Sequence, residues 1–351
     1  MTNNSCGPGN TSISSIPSFC IHIEDRILAL WFAVMIVLCV LAATFNVILL
    51  VILCRVKKHR SGTGLLIAHL LVTGILMSAH YLVHALLVYA NDAWHITRHV
   101  HTCTVVHYLL TGTMYANSWT EAALGVNRFI ATTCPHRYKS WTGRNITLAM
   151  IGLCWAIAFG TVLPMCFGRL GRFYASPWGQ CTLQTTSTAG TWIMSVNTYV
   201  PYVSVSIAVT AVVGQILVRR FTQRYHTAVD PMPAPRILRQ KHQQRVHNKR
   251  QLRVAGMLLL SFLFTVLCNL PLPVMVGQYY KVYMGNPLFR LWLRVGFLLQ
   301  YLGTPLIFLV CNRDYRRSFT QIRKRRITPN DPSEFVEPRM PVHLSPLDTP
   351  V

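Results

Sequence analysis

The sequence predicts an all-α membrane protein, a bundle of seven transmembrane helices. Three observations lead there. Of the 351 residues, 52% are hydrophobic and 12% charged, about half the ~25% charge of a soluble domain. Seven stretches are long enough to cross ~30 Å of hydrocarbon, which takes about 20 residues of helix. The 33 Lys and Arg exceed the 10 Asp and Glu, giving a net charge of +23, and they gather in alternate connecting segments. Such a surplus also suits nucleic-acid binding, but those proteins do not usually carry long uncharged apolar runs. No nucleic-acid partner is therefore expected.

The spans are read in order as Ile27–Cys54, Gly64–Tyr89, Cys103–Thr132, Thr147–Phe167, Trp192–Val218, Leu252–Gln278 and Leu288–Cys311. Backbone polar groups in lipid must be satisfied within the segment, so each is predicted as a helix. The runs lack the alternating polarity of barrel strands. Hydropathy defines the third span least well, because Asn117, Glu121 and Asn127 interrupt it. No internal repeat is evident.

Orientation follows from the basic residues. The segments Arg55–Arg60, Arg128–Arg144 and Arg219–Arg253 and the tail after Cys311 hold 26 of the 33 Lys and Arg. Placing them inside puts the N-terminus outside and the C-terminus in the cytosol. Residues 1–20 are polar and do not read as a cleavable signal peptide. Asn3 and Asn10 head acceptor sequons for glycosylation in the outer tail. A third sequon at Asn145 falls on the cytosolic side. Cys6 and Cys20 are candidates for an outer disulfide.

Local motifs extend the reading. Asn46 stands in the first span, Trp94 in the first outer loop, and Cys103 opens the third span, which closes on Asn127-Arg128-Phe129. Cys103 and Arg128 are 25 positions apart. Trp155 and Pro164 mark the fourth span, Cys181 the second outer loop, and Pro201 the fifth span. Cys268-Asn269-Leu270-Pro271 lies in the sixth and Thr304-Pro305-Leu306-Ile307-Phe308 in the seventh. In this order the chain resembles the rhodopsin-like (class A) G-protein-coupled receptors over roughly residues 25–322. The Asn-Arg-aromatic ending is also similar to melatonin-like and trapped-in-endoderm-type receptors.

The resemblance implies a cell-surface receptor in the plasma membrane that couples an outer ligand to a heterotrimeric G protein. It implies a disulfide between Cys103 and Cys181, a G-protein contact and switch at Asn127, Arg128 and Phe129, and an amphipathic eighth helix beginning at Asp314. The organisation is then an outer tail at 1–26, the bundle at 27–311, the eighth helix at 312–326 and a disordered cytoplasmic tail at 327–351. Prolines in the fifth, sixth and seventh helices remove backbone hydrogen bonds and give points where helices pivot.

Several positions depart from the family pattern. The second-span aspartate falls on Gly74, the sixth-span tryptophan on Asn269, the seventh-span Asn and Tyr on Thr304 and Phe308, and the fifth-span tyrosine on Val209. Asn127 replaces the acid beside Arg128, and Gln251 stands where the sixth span often offers another. Without that attraction the active state is easier to reach, and high basal activity is expected. Glu121, the only acid within a span, is costly in the bilayer and is expected to face the bundle. Asn46, Asn117, Asn269 and Thr304 are expected to form a polar core around it. That carboxyl either replaces the one lost at Gly74 or is a hydrogen-bonded neutral acid.

For the ligand, Leu298 stands at the position of the opsin lysine and Leu110 at the aspartate of amine receptors. A covalent chromophore or a biogenic amine is thereby disfavoured, and no cofactor is expected. Arg290 and Arg294, four apart in the outer seventh span, share a helix face. Arginine suits bidentate binding of carboxylate or phosphate, so the expected ligand carries an anionic group, of a lipid, a peptide or an organic acid. Tyr81, His84, Thr111, Tyr279 and Tyr280 are candidates to line the same cavity. Snorkelling of both arginines to outer headgroups is the bland alternative.

Outer histidines, His80, His84, His95, His99, His101 and His107, raise proton sensing or zinc as minor alternatives, and no metal site is assigned. The basic third inner loop and Arg323–Arg326 suit anionic membrane lipids. Thr349-Pro350-Val351 suits a PDZ-domain protein if it is a free C-terminus. A receptor that binds ligand without coupling stays open, given the altered switch. A transporter would want broken helices at the midplane or internal symmetry. An enzyme is not expected, because neither paired catalytic acids nor an HExxH or GxSxG motif occurs.

Overall fold

A computed structural model of the protein describes residues 25–55, 62–94, 100–134, 138, 140–141, 143–175, 181–229, 256–257, 259–311, 315–316 and 320. The glycosylation candidates Asn3 and Asn10, the Cys6–Cys20 pair, the Gln251 position, most of the eighth-helix segment and the C-terminal motif lie outside these residues. The helices are α1 (Asp25–Arg55), α2 (Gly62–Trp94), α3 (Val100–Thr133), α4 (Arg144–Cys166), α5 (Thr188–Val229), α6 (Leu259–Asn269), α7 (Pro271–Gln278), α8 (Tyr280–Gly285) and α9 (Pro287–Cys311). Between α4 and α5 lie two strands, β1 (Gly171–Ala175) and β2 (Cys181–Thr185), paired antiparallel with Ala175 opposite Cys181.

All seven expected spans have helices. The third is continuous across Asn117, Glu121 and Asn127, because polar groups are tolerated where other helices supply their partners. Helix α2 runs on through Trp94, which therefore ends a helix rather than sitting in a loop. The sixth span is divided at Leu270, and Pro271 opens α7, as suits a residue with no N–H to donate. The strands were not anticipated, since the outer connection carries no clear period-two pattern.

Helix α3 is the hub. It packs against α2, α4, α5 and both strands, while α1 packs against α2 and α9. Lipid tails are as apolar as Leu, so close packing and polar ties hold such a bundle more than hydrophobicity does. A Cβ on Gly112 would stand 2.6 Å from the Phe159 ring, so the glycine lets α3 and α4 approach. Trp31 Nε1 donates to the Leu291 carbonyl at 3.0 Å, tying α1 to α9. Asn46 Nδ2 donates to the Tyr301 carbonyl at 2.8 Å, a second tie. Trp155 Nε1 donates to His69 Nε2 at 2.6 Å. His69 Nδ1 meets Thr120 Oγ1 at 3.1 Å, joining α4, α2 and α3.

A core of Trp31, Met35, Met77, Tyr81, Leu291 and Leu298 fills the Cys103 end of α1, α2 and α9. Another, with Leu49, Ile52, Leu66, Leu71, Phe308 and Tyr315, fills the Arg128 end. Prolines 164, 201 and 305 lie inside α4, α5 and α9.

Candidate functional site: three stations along the bundle axis

At one end a disulfide joins Cys103, in the first turns of α3, to Cys181, the first residue of β2, with Cα atoms 5.4 Å apart. The hairpin is thereby held across the bundle. Beneath it Arg294 of α9 is 8% exposed and Arg290, one turn earlier, 3%. The Arg294 guanidinium donates to His84 Nε2 of α2 and, from Nη2, to the Cys181 carbonyl at 3.4 Å. Arg290 stands over the Tyr283 ring, 5.6 Å from its centroid. Neither arginine snorkels outward; both are turned into protein.

Tyr81 and Thr111 are buried, and Tyr81 lies in the electrostatic field of Arg294. Tyr279 is 56% exposed at the break after α7 and stands apart from this group. The side chain of Tyr280 is outside the described residues. His107 of α3, which sequence reasoning placed only in a loose histidine cluster, lies in the field of Arg294 too. Its ring stands edge-on to Phe173 of β1, 5.5 Å between centroids.

The middle station is a chain of side-chain hydrogen bonds. Thr73 Oγ1 donates to Asn117 Oδ1 at 2.8 Å. Asn117 Nδ2 donates to Glu121 Oε1 at 3.1 Å, and Gln300 Nε2 donates to the same oxygen at 2.9 Å. Glu121 thus faces the bundle and joins α3 to α9. Asn46 and Asn269 do not bond to it. Asn46 is spent on the Ala42 and Tyr301 carbonyls; the Asn269 amide faces the Tyr202 hydroxyl, and its Oδ1 has no hydrogen-bond partner among the described residues. Thr73 and Gln300 complete the network and were missed; both are common residue types without a motif. Gly74 is filled from outside: a Cβ there would lie 2.8 Å from Asn46 Oδ1.

At the far end a cleft between α3, α5, α6 and α9 is lined by Glu121, Arg128, Val209, Thr265, Thr304 and Phe308. Asn127 turns away from Arg128 and donates from Nδ2 to Thr63 Oγ1 of α2 at 3.0 Å. Thr63 in turn bonds the Tyr138 hydroxyl at 2.9 Å. Arg128 Nε is buried without a hydrogen-bond partner among the described residues, and the guanidinium lies in the electrostatic field of the Tyr138 and Tyr315 hydroxyls. Phe129 packs beside Val212 and Ile216 of α5.

The model of the family described as 7 transmembrane receptor (rhodopsin family) matches residues 45–288. The chain belongs to that family. Galanin receptor type 1 of Mus musculus is 26% identical over 166 residues, 47% of this chain and 46% of the mouse protein. Its Homo sapiens counterpart is 27% identical over 160 residues, 45% of this chain and 44% of the human protein. Galanin receptor type 2 of Mus musculus is 33% identical over 117 residues, 33% and 31% of the two chains. In these matches the chain spans under half the length of its relatives. The narrower likeness to melatonin-like and trapped-in-endoderm-type receptors draws no support from them. For a rhodopsin-family receptor, a multi-pass membrane protein, the three stations lie in series along α3.

Proposed function

We propose that this receptor sits in the plasma membrane with its N-terminus outside and couples an extracellular ligand bearing an anionic group to a heterotrimeric G protein. The observation that carries the ligand class is the burial of Arg294 on neutral partners, the His84 ring and the Cys181 carbonyl. A buried guanidinium is costly unless an anion pairs with it, and its planar fork suits a carboxylate or phosphate. The ligand shifts the bundle between two states by its differential affinity for them.

On the opposite side, Arg128 in its largely apolar cleft is the G-protein contact, with Asn127 and Phe129 as its flanks. The relatives are galanin receptors, which supports a peptide as the source of the anionic group. The polar core of Thr73, Asn117, Glu121 and Gln300 relays between the ends, because it bridges α2, α3 and α9. Basic inner segments hold anionic lipid headgroups, and a PDZ-domain protein is a candidate partner for Thr349-Pro350-Val351.

The test is a signalling assay on tagged, surface-expressed receptor, run without ligand across G-protein classes and then with acidic peptides. Coupling that Arg128→Ala abolishes is expected, as is a ligand response that Arg294→Ala removes while surface level is unchanged. Silence toward every G-protein class, with and without ligand, refutes the coupling half of the reading.

A further inference from the structure

The cleft at the Arg128 end has room that the described residues do not fill. It takes in about 600 Å³, its open mouth included, a volume in the range of ligand-sized pockets. Leu124, Val209, Val212, Phe262 and Phe308 are its apolar walls. The charged groups among the lining residues are Glu121 and Arg128, seven residues apart on α3 and so on one helix face, about 10 Å apart along the axis. Glu121, at the deep end, already accepts from Asn117 and Gln300. Arg128, nearer the mouth, keeps a buried Nε without a hydrogen-bond partner among the described residues. The Tyr138 and Tyr315 hydroxyls act on its guanidinium, but both are uncharged phenols, and Asn127 turns to Thr63 instead. What fits this cleft is a segment with apolar side chains for the walls and an acid for the mouth.

The sequence carries such a segment on the same side. Although the chain has a net charge of +23, four of its ten acids lie in residues 327–351. Three of them fall within Asp331-Pro332-Ser333-Glu334-Phe335-Val336-Glu337, which holds no base and has Phe335 and Val336 between two of its acids. The other acids placed at this end, Asp230 and Asp314, stand singly, and Asp314 is flanked by Arg313, Arg316 and Arg317. The reach is sufficient. Tyr315, 3% exposed in the core at this end, fixes the chain within the electrostatic reach of Arg128. A helix over residues 315–326 carries the chain about 18 Å away, and the eight residues from Ile327 to Glu334 span up to about 26 Å, enough to return.

We infer that residues 331–337 of this chain dock in the Arg128 cleft of the resting receptor, with Phe335 and Val336 against its apolar walls and a carboxylate of Glu334 or Glu337 on the Arg128 guanidinium. This rests on the reading of that end as cytosolic and of Arg128 as the G-protein contact, and gives the cleft a second occupant that competes with the G protein. A carboxylate matches the planar fork of arginine, and here it comes from far along the chain, in place of the acids absent at Asn127 and Gln251. The acid of the segment stays at the mouth, about 10 Å from Glu121. Tethering holds the segment at an effective concentration of about mM, so a weak contact is populated and a G protein still displaces it. Ligand-free signalling then reflects the balance between the two.

Two measurements on full-length receptor in lipid nanodiscs test this. In the first, photoreactive benzoylphenylalanine replaces Phe335 and the cross-linked peptides are mapped by mass spectrometry. Links to the α3, α5 or α6 residues that line the cleft are expected, with a lower yield when Glu334→Gln and Glu337→Gln are added together. The second measures ligand-free nucleotide exchange on added G protein. The paired Glu334→Gln and Glu337→Gln variant, and separately Phe335→Ala, are expected to raise it about threefold, as on loss of a tethered competitor of mM affinity. A synthetic peptide of residues 331–337 is expected to reverse the rise, and a scrambled peptide is not. Absence of links to the cleft, or exchange unchanged in both variants, overturns the contact; if Arg128→Ala still abolishes exchange, the receptor reading stands. A rise given by Asp314→Asn and not by the tail variants makes the nearer acid the partner and also overturns it. If no G-protein class shows exchange with any variant, the coupling reading falls and the cross-links alone decide the contact.

Discussion

Gln300 on α9 and Asn117 on α3 donate to one oxygen, Glu121 Oε1, at 2.9 and 3.1 Å. A single carboxyl oxygen thus ties the third helix of the bundle to the last. Removing it leaves two amide groups without their acceptor, each costing about 1–3 kcal/mol when buried. Glu121→Ala is expected to lower the thermal midpoint of the purified receptor clearly, whereas Glu121→Gln, which keeps an acceptor oxygen in place, lowers it less. Equal midpoints for the two variants would show that the shared oxygen is not what joins the helices.

Asn127 stands beside Arg128 where an acid would sit, and its amide is spent on Thr63. Asn127→Asp returns a carboxylate next to the guanidinium. An added attraction of about 1 kcal/mol shifts a two-state ratio roughly fivefold. Ligand-free signalling is expected to fall by about that factor, with Arg128→Ala as the floor of the assay. A basal signal that Asn127→Asp leaves untouched removes the missing acid as the cause of basal activity.

The position of the lost aspartate is physically occupied. Since a Cβ on Gly74 would lie 2.8 Å from Asn46 Oδ1, Gly74→Asp is expected to destabilise the receptor by about 1–3 kcal/mol. Asn46→Ala, though itself harmful, is expected to relieve part of that loss, so the double variant is more stable than the sum of the singles predicts. Additive losses in thermal midpoint would mean the two positions do not compete for the same space.

The Cys103–Cys181 bridge closes a sequence separation of 78 residues. Opening a loop of that size by Cys181→Ser costs about 2–4 kcal/mol. The same change releases β2 from α3 and thereby the Cys181 carbonyl from Arg294. Lower surface expression and loss of ligand response together are expected. Retained response at normal expression would indicate that the hairpin stays in place without its covalent tether.

The bundle was legible because lipid forces a simple code: about 20 apolar residues per span and positive connectors on one side. Even Glu121, against the hydropathy of its own span, could be placed facing inward from the cost of burying it. What pairs with it was less legible. Gln300 and Thr73 belong to residue types that usually satisfy themselves locally, and only the juxtaposition of helices brings them to Asn117 and Glu121. Asn46 was misassigned for the same reason, since nearby backbone carbonyls of Ala42 and Tyr301 outcompete a distant carboxyl. Arg294 is buried against His84 and the Cys181 carbonyl, whereas Tyr279 stands apart from it, because the chain breaks after Gln278 and turns that ring outward. The setting of His107 escaped notice because its ring partner Phe173 lies on a hairpin with no sequence period to announce it.

Helix α5 continues for 42 residues, about 63 Å at 1.5 Å per residue, roughly twice the thickness of the hydrocarbon it crosses. Pro201 lies about a third of the way along that length, and a missing backbone hydrogen bond there makes it a point where the helix can bend. A pivot of about 5° at the proline would displace the tip at Val229 by about 4 Å. A small change of angle at the proline would thus become, at the far end of the helix, a movement the size of an amino acid.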